Sequence, residues 1–319
     1  MGGFFEKVGT ATPPRQRSDY GPSVQGGIPD MPLHLYGTSL KYAASNGAYW
    51  GSPGTADALE PGFYTVQHCH QRGPVLTKVS SITDDLLRLP DPVCDMLLAE
   101  FVTFWQSAAK LVARGFLAKR GLLLWGPPGS GKTSALNLMA AHMIRELRGI
   151  VVMAQEPNLT VAGLRLVRSI EPDRPIILIY EDFDSLVERF GEAGYLAMLD
   201  GEAQISGVVN VATTNYPERL DKRFVDRPGR FDRITECPMP SDEARRAYLA
   251  AKAPEIDELR REKWVRATDG LSLGHLRELI VAHIGLGEDE SAVLDRLTDM
   301  HEVKPGSSAL RGKVGFAAE

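Results

Sequence analysis

Cysteine is scarce in this chain, with only Cys69, Cys94 and Cys237 among 319 residues. Three dispersed cysteines do not make the framework of a disulfide-rich secreted domain, so we interpret them as unpaired thiols in a reducing compartment. The chain also lacks an apolar run near the roughly 20 residues that span a bilayer, and no cationic start precedes an apolar segment at its amino terminus. We therefore expect a cytoplasmic protein without membrane insertion.

An excess of positive charge is missing as well. Lys and Arg number 36 against 41 Asp and Glu, which gives a net charge of -5. Without a basic field, binding to nucleic acid would need a local patch that the sequence does not display, and this argues against a DNA motor. With 43% hydrophobic and 24% charged residues, the chain has the composition of an ordinary soluble protein, and it is long enough for more than one domain.

The octapeptide Gly126–Thr133, with the sequence GPPGSGKT, follows the apolar run Leu122–Trp125. Glycines at this spacing let backbone N–H groups turn inward around a polyphosphate, and Lys132 would neutralise its outer phosphates. The Thr133 hydroxyl would complete the shell of a magnesium ion. A turn that only links a strand to a helix is the alternative interpretation. The predicted nucleotide-binding residues of this segment are Gly126, Pro127, Pro128, Gly129, Ser130, Gly131, Lys132, Thr133 and Ser134.

From residue 120 onward, apolar runs alternate with helical patterns, which predicts a parallel β-sheet flanked by helices, an α/β fold. Beyond Pro240 the pattern changes to charged helices and predicts a small helical domain. The expected strands are 121–125, 150–154, 176–181 and 208–213, and the expected helices are 132–146, 162–170, 192–199, one from Ser241, and two around 273–284 and 289–300. A further helix is expected to begin at Asp91 and Pro92, a capping residue followed by an N1 proline.

The first sixty residues are rich in Gly and Pro without a sustained period, so we expect an irregular segment there, followed by a β-hairpin with strands at 63–68 and 74–80. His68 and His70 would share one strand face, but no second ligand pair has the spacing of a metal site. The predicted organisation is an irregular segment with a hairpin at 1–84, an α/β nucleotide-binding domain at 85–240, a helical domain at 241–303 and a tail at 304–319.

Polar residues lie at the ends of two of the predicted strands, with Glu181 and Asp182 at the end of one and Asn215 just beyond the other. Because ligands of open α/β sheets bind at the carboxyl ends of strands, we expect these residues near the phosphate loop. One carboxylate would hold magnesium and the other would orient and deprotonate an attacking water, while Asn215 would contact the γ phosphate and that water. A solvated turn is the alternative for the acidic pair, and Asp184 is interpreted as a cap of the next helix.

Three cations surround a turn further along the chain, at Arg227, Arg230 and Arg233. Surface arginines ordinarily serve solubility or ion pairs, and that interpretation stays open here. Phosphoryl transfer, however, is accelerated by a planar cation supplied from a neighbouring molecule. The turn is therefore a candidate source of such a cation.

These segments together resemble an AAA+ ATPase with its second region of homology, over about residues 85–285. The segments that carry the resemblance are Gly126–Thr133, Glu181–Asp182, Thr213–Asn215 and the stretch through Arg233. The similarity is greatest to the Bcs-type branch, which contains the mitochondrial Rieske-protein translocase; it rests on Leu89–Pro90, Arg120–Gly121, Met198–Gly201 and Thr213–Asp221.

The resemblance implies a P-loop AAA+ core with a small α-helical lid domain, and ATP and Mg²⁺ as substrate and cofactor. By position, Thr133 and Glu181 would hold the metal and Asp182 would be the catalytic base. The order Glu-Asp is that of the Bcs-type branch and the reverse of the usual one, so the base is one methylene shorter. Arg277 takes the position of a lid arginine that senses nucleotide in some AAA+ branches.

The resemblance also implies that Arg227 and Arg230 are arginine fingers that reach the γ phosphate of a neighbouring subunit. The active site would then exist only in a ring-shaped homo-oligomer, a hexamer or heptamer. Two features depart from the family. The segment 155–161 lacks the aromatic residue that threading AAA+ motors insert against an unfolded chain, and the membrane helix of the mitochondrial members is missing.

We therefore expect an oligomeric, Mg²⁺-dependent ATPase that couples ATP hydrolysis to the remodelling or translocation of a macromolecular client, a protein rather than a nucleic acid. The alternative is an ATP-regulated switch or loader that binds nucleic acid, which the net negative charge disfavours.

Overall fold

A computed structural model describes residues 41–45, 48–52, 56–70, 73–80, 87–200 and 205–302. The chain divides into two units, 1–56 and 57–319. The described part of the first unit is an antiparallel pair, β1 (Lys41–Ser45) and β2 (Ala48–Ser52). We predicted only irregular structure here, and this pair corrects that prediction: five-residue strands are too short to display a period, although Tyr49 and Trp50 have high strand propensity.

The second unit contains one seven-stranded sheet with the order β4-β3-β6-β7-β8-β5-β9. Its strands are β3 (Gly62–Cys69), β4 (Gly73–Val79), β5 (Lys119–Trp125), β6 (Ile150–Met153), β7 (Ile176–Tyr180), β8 (Val208–Thr214) and β9 (Arg233–Glu236). Neighbouring strands are parallel except for the antiparallel pair β3 and β4. β7 and β8 are buried along their whole length, as expected for central strands covered on both faces. The predicted α/β fold is confirmed.

The predicted hairpin is present as β3 and β4, and it extends the sheet. β3 pairs in parallel with β6, with Phe63 opposite Val151, a pairing that the sequence did not predict because it joins segments about 90 residues apart. β9 was also missed, since four residues with a charged residue at each end give no apolar run. The domain boundaries themselves stay predictions, and the proposed tail lies outside the described residues.

The α-helices of the described residues are α1 (Pro92–Val112), α2 (Lys132–Arg145), α3 (Pro157–Ile170), α4 (Phe183–Phe190), α5 (Glu192–Asp200), α6 (Lys222–Val225), α7 (Asp242–Lys252), α8 (Glu258–Ala267), α9 (Leu273–Leu279) and α10 (Glu290–Glu302). Strand alternation sends Leu122 and Ile177 to the face covered by α1 and α2, and Leu123 and Leu178 to the face covered by α3, α4 and α5. The sheet therefore lies between two apolar layers.

Two helix predictions are corrected. α3 begins at Pro157 rather than at 162, because Glu156 caps it by accepting the N–H groups of Asn158 (3.0 Å) and Leu159 (2.6 Å). α4 was not predicted, and Asp184 lies in its first turn instead of capping it. The helix predicted from Asp91 is confirmed, with the Asp91 carboxylate accepting the N–H of Val93 at 2.8 Å.

Helices α7 to α10 pack around their own apolar core, which includes Trp264, Leu249 and Leu276. Arg245, nearly fully buried, donates to the carbonyl of Pro240 at 2.7 Å and to the Asp242 carboxylate at 2.6 Å. This arginine ties α7 to the segment that connects it to β9.

Candidate functional site

The loop between β5 and α2 is shaped by glycines with positive φ. Gly131 has φ +95°, a backbone conformation that favours glycine. A Cβ built there would meet no atom within 4 Å, so the space beside it is open. Gly129 has φ +77°, and a Cβ there would lie 2.5 Å from the Cβ of Ser272, just before α9. The loop therefore faces open space on one side and touches the lid on the other.

Lys132 folds back into this loop. Its Nζ donates to the carbonyls of Gly126 (2.8 Å) and Pro127 (2.9 Å) and to Ser130 Oγ (3.4 Å), and the residue is 7% exposed. Burial lowers the pKa of Lys132, an effect that the charge of Asp182 partly opposes. Among the described residues no carboxylate lies within ion-pair distance of Nζ, so the direct partners of the ammonium are all neutral oxygens.

The amino terminus of α2 supplies further polar groups. Its cap residue Gly131 has no side chain, so no side-chain hydrogen bond satisfies the first N–H groups of the helix. Thr133 and Ser134 in the first turn are exposed, and the turn contains no acidic residue. Free N–H groups and a positive helix end favour a bound anion at this position.

The acidic pair lies at the carboxyl end of β7. Partial burial raises the pKa of Glu181, and the adjacent Asp182 carboxylate raises it further. Asp182 has a left-handed backbone with φ +47°, which costs a non-glycine residue about 1 kcal/mol. Its N–H donates to Thr213 Oγ1 at 3.2 Å, and Asn215 Nδ2 lies 3.5 Å from its Oδ1. Asp182 and Asn215, which follow the neighbouring strands β7 and β8, are thus in contact.

One cavity of about 410 Å³ joins these groups. The predicted site residues that line it are Pro128, Gly129, Gly131, Lys132, Thr133, Ser134, Glu181, Asp182 and Asn215. Leu273 and Gly274 of the lid close one side. An ammonium, unsatisfied helix N–H groups, a hydroxyl and two carboxylates suit a polyphosphate with a divalent cation, since Mg²⁺ prefers oxygen ligands.

A second cavity of about 130 Å³ was not predicted from the sequence. It is mainly apolar and lies beside Gly131 and Ser134; the rest of its lining includes Leu89, Val93, Leu138, Met239 and Leu273. A narrow apolar slot next to a phosphate site fits a planar base. The only sequence signal was the pair Leu89–Pro90, which lay outside every predicted strand and helix.

Cys94 also lines this slot, where its thiol donates to Asp91 Oδ2 at 3.3 Å. Burial raises the pKa of the Cys94 thiol well above its usual range, and the Asp91 carboxylate adds to this. A thiol held in its protonated form is a weak nucleophile. Cys94 therefore belongs to the wall of the slot and not to a reactive centre.

The two predicted arginine fingers differ in their surroundings. Arg227 has an exposed side chain, 65% accessible, with one nitrogen 3.4 Å from Asp200. Arg230 is 5% exposed, and its Nε and Nη2 each donate to an Asp200 oxygen at 2.6 Å. Arg230 is thus paired within its own chain, and its role as an arginine finger stays a prediction. Sequence reasoning missed Asp200, because its partner lies 30 residues away.

Arg277 and His68 complete the predicted residues. Arg277 is exposed on α9 and lines neither cavity. The centroids of the His68 and His70 rings lie 5.2 Å apart, in an edge-to-face arrangement. No group of three or more His, Cys, Asp or Glu side chains that could hold a metal occurs in the described part of the chain.

None of the described helices has the length and apolarity to cross a bilayer.

Comparison with known families gives one match, to the ATPase family associated with various cellular activities (AAA), over residues 122–239. The matched segment begins in β5 and ends just beyond β9, so it contains the glycine-rich loop, the acidic pair, Asn215 and both arginines. The predicted resemblance is confirmed, and with it the predicted enzyme class at the level of this domain.

Curated relatives agree with the match. The chain is 30% identical to the ATP-dependent zinc metalloprotease FtsH of Acidothermus cellulolyticus over 207 residues, which are 57% of this chain and 30% of the relative. It is 31% identical to the proteasome-activating nucleotidase of Methanothermobacter thermautotrophicus, over 52% of this chain and 45% of that one. It is 35% identical to the probable mitochondrial chaperone bcs1 of Schizosaccharomyces pombe, over 45% of this chain and 34% of that one. The chain thus spans less than half the length of each.

Proposed function

Since residues 122–239 form an AAA ATPase domain, we propose that this protein binds ATP with Mg²⁺ in the 410 Å³ cavity and hydrolyses it. The observation that supports this most strongly is Lys132, a buried cation that no carboxylate of the described chain balances. A buried charge without a partner is unfavourable, and the phosphates of a nucleotide would supply the missing negative charge.

The binding residues act by position and charge. Lys132 would exchange its bonds to loop carbonyls for bonds to phosphate oxygens, and the free N–H groups at the start of α2 would hold the same phosphates. Thr133 and Glu181 offer oxygen atoms to a divalent cation. Bound Mg²⁺ would neutralise developing charge on the phosphate oxygens. The apolar slot beside Gly131 would receive the base.

Hydrolysis would use the pair Asp182 and Asn215. Asp182 accepts a proton from the attacking water, and the Asn215 amide, 3.5 Å away, orients that water toward the γ phosphate. The aspartate is one methylene shorter than a glutamate in this role. Its strained backbone at φ +47° is held by the bond from its N–H to Thr213, which keeps the short side chain at the cavity.

The catalytic test is Asp182→Asn, which keeps the shape of the side chain and removes its basicity. We expect kcat to fall at least about 100-fold, because general bases contribute roughly 10² to 10⁴ in rate, while affinity for a fluorescent ATP analogue is kept. Glu188→Gln, at an exposed acid of α4, the helix that Asp182 precedes, is the matched control and should keep wild-type turnover. Undiminished turnover of Asp182→Asn would remove Asp182 as the base.

The arginine turn supports a shared active site between subunits of a ring-shaped homo-oligomer. Arg227 is the exposed cation of this turn, and a planar cation supplied in trans raises phosphoryl-transfer rates by about 10³ or more. We expect Arg227→Ala subunits to assemble and bind ATP but not to hydrolyse it. Mixing them with Asp182→Asn subunits should restore part of the activity, because each variant supplies what the other lacks. No recovery in mixed assemblies would contradict the trans role.

The client we propose is a protein. The relatives whose names state an action include a metalloprotease, a proteasome-activating nucleotidase and a chaperone. A client that copurifies with the Asp182→Asn variant, and that is released by ATP from wild type alone, would identify it. Stimulation of turnover by single-stranded or duplex DNA, with a steep dependence on salt, would instead favour the nucleic-acid switch.

A further inference from the structure

The last residue of β8, Thr214, is fully buried and lies directly before Asn215. Its hydroxyl donates to Asp184 Oδ1 at 2.6 Å and accepts the N–H of Tyr216 at 3.0 Å. The Thr214 hydroxyl thus connects the residue before Asn215 with the backbone of the residue after it. The orientation of the Asn215 turn is therefore set by an acceptor on another element, the first turn of α4.

Thr213, the residue before Thr214, also bonds to the start of α4, but its hydroxyl accepts the hydrogen bond instead of donating it. Thr213 Oγ1 accepts the N–H of Asp182 at 3.2 Å. Successive side chains of a strand point to opposite faces, so the hydroxyls of Thr213 and Thr214 contact α4 and its leading residue at two separate points. Together they fix the end of β8 relative to the start of α4, the two elements that carry Asn215 and Asp182.

We infer that Asp184 is a positioning residue for hydrolysis, which acts through the Thr214 hydroxyl to hold Asn215 against Asp182. This rests on the proposed ATPase function. Asp184 lines neither the 410 Å³ cavity nor the base slot, so it has no contact with the nucleotide in either place. Its role follows from geometry: a displacement of about 1 Å at a reacting pair can lower a rate by up to roughly 10².

The experiment compares variants that break the Asp184–Thr214 bond with variants that keep it. Asp184→Ala removes the acceptor and Thr214→Val, which has the same shape, removes the donor. We expect each to lower kcat about tenfold, with affinity for fluorescent ADP and ATP analogues changed by less than about threefold, because Lys132 and α2 are untouched. Asp184→Asn and Thr214→Ser keep an acceptor and a donor, and should stay within about threefold of wild type.

The double variant Asp184→Ala, Thr214→Val sharpens this test. If the two groups act as one unit, its kcat should lie within about threefold of that of Thr214→Val alone, since the bond is already lost in either single variant. Independent roles would instead give about a hundredfold loss, the product of the two, and would overturn the inference. So would an unchanged kcat in Asp184→Ala, or a loss in Asp184→Asn as large as that in Asp184→Ala.

Two controls separate positioning from general damage. Thr235→Val removes another buried strand threonine hydroxyl, one that has no hydrogen-bond partner among the described residues, and should leave kcat unchanged. Glu188→Ala removes an exposed acid of the same helix and should do the same. Far-ultraviolet circular dichroism of each variant establishes that it is folded.

A measurement that does not depend on ATP hydrolysis tests the position of Asn215 separately from the proposed function. The side-chain amide signals of Asn215 in ¹H–¹⁵N spectra, assigned by their loss in Asn215→Gln, should shift in Asp184→Ala and Thr214→Val but not in Asp184→Asn. A wild type that hydrolyses no ATP would refute the proposed function while this readout still tests the contact. Unmoved Asn215 signals in both disrupting variants would overturn the inference, whatever the ATPase activity.

Discussion

Two glycine-containing turns of this chain each fold around one buried cation, and the cations differ in what balances their charge. Lys132 is held by neutral oxygens, the carbonyls of Gly126 and Pro127 at 2.8 and 2.9 Å. Arg230 is held by both carboxylate oxygens of Asp200 at 2.6 Å. Burial lowers the pKa of Lys132, whereas the hydrogen bond with Asp200 raises the pKa of Arg230.

The difference separates a binding group from a structural one. A buried charge that its own chain does not neutralise is unfavourable, and such groups concentrate at sites where a ligand completes the pairing. A buried charge with a bidentate partner is already complete and has no need of a ligand. By this criterion the turn at Lys132 is open to an anion, and the turn at Arg230 offers only its exposed neighbour Arg227.

The largest expected effect is on nucleotide affinity. Lys132→Met should weaken binding of a fluorescent ATP analogue at least about 100-fold, near 3 kcal/mol, because charge-assisted bonds to phosphate are lost. The free energy of unfolding without nucleotide should change by less than about 1 kcal/mol, since no carboxylate is left unpaired. Lys110→Met, at an exposed lysine of α1, is the control. A large loss of stability in Lys132→Met would contradict the comparison.

The second effect is on stability. Arg230→Met should lower the free energy of unfolding by about 2 kcal/mol, because it leaves the Asp200 carboxylate without its partner. The full penalty for a buried pair is reduced here, since the Asp200 side chain is 23% exposed and keeps some water. Urea denaturation measures this. Arg227→Met, beside the same carboxylate but 65% exposed, should cost no more than about 0.5 kcal/mol. Equal losses in the two variants would erase the distinction between the arginines.

The smallest effect concerns pH. The hydrogen bond from Arg230 lowers the pKa of Asp200, so this pair stabilises the fold above the ordinary aspartate pKa of about 3.9 and loses that contribution as pH falls through the folded-state value. Wild type should therefore lose more stability than Asp200→Asn between pH 7 and pH 3, as measured by urea midpoints. Asp226→Asn, at an exposed aspartate, should behave like wild type. Parallel acid profiles for wild type and Asp200→Asn would exclude the pair as a source of stability.

Much of the candidate site follows from local sequence. The loop of Gly126–Thr133 is recognisable because its spacing alone encodes the backbone geometry, and Asp182 and Asn215 could be placed together because parallel strands end at one edge. The base slot could not be predicted, since it is formed by segments near 89, 131 and 239 that have no common pattern. The Asp184–Thr214 bond was missed for the same reason, and Asp184 was interpreted as a cap.

The sequence by itself determined that a phosphate-binding loop lies between a buried strand and a helix, and that acids and an amide follow the neighbouring strands, because these features depend on residues close together in the chain. Only the tertiary structure decided which cations are available. Asp200 lies 30 residues before Arg230 and pairs with it, whereas no carboxylate of the described chain pairs with Lys132. Charge balance in a folded interior is a sum over neighbours in space, which local spacing does not encode.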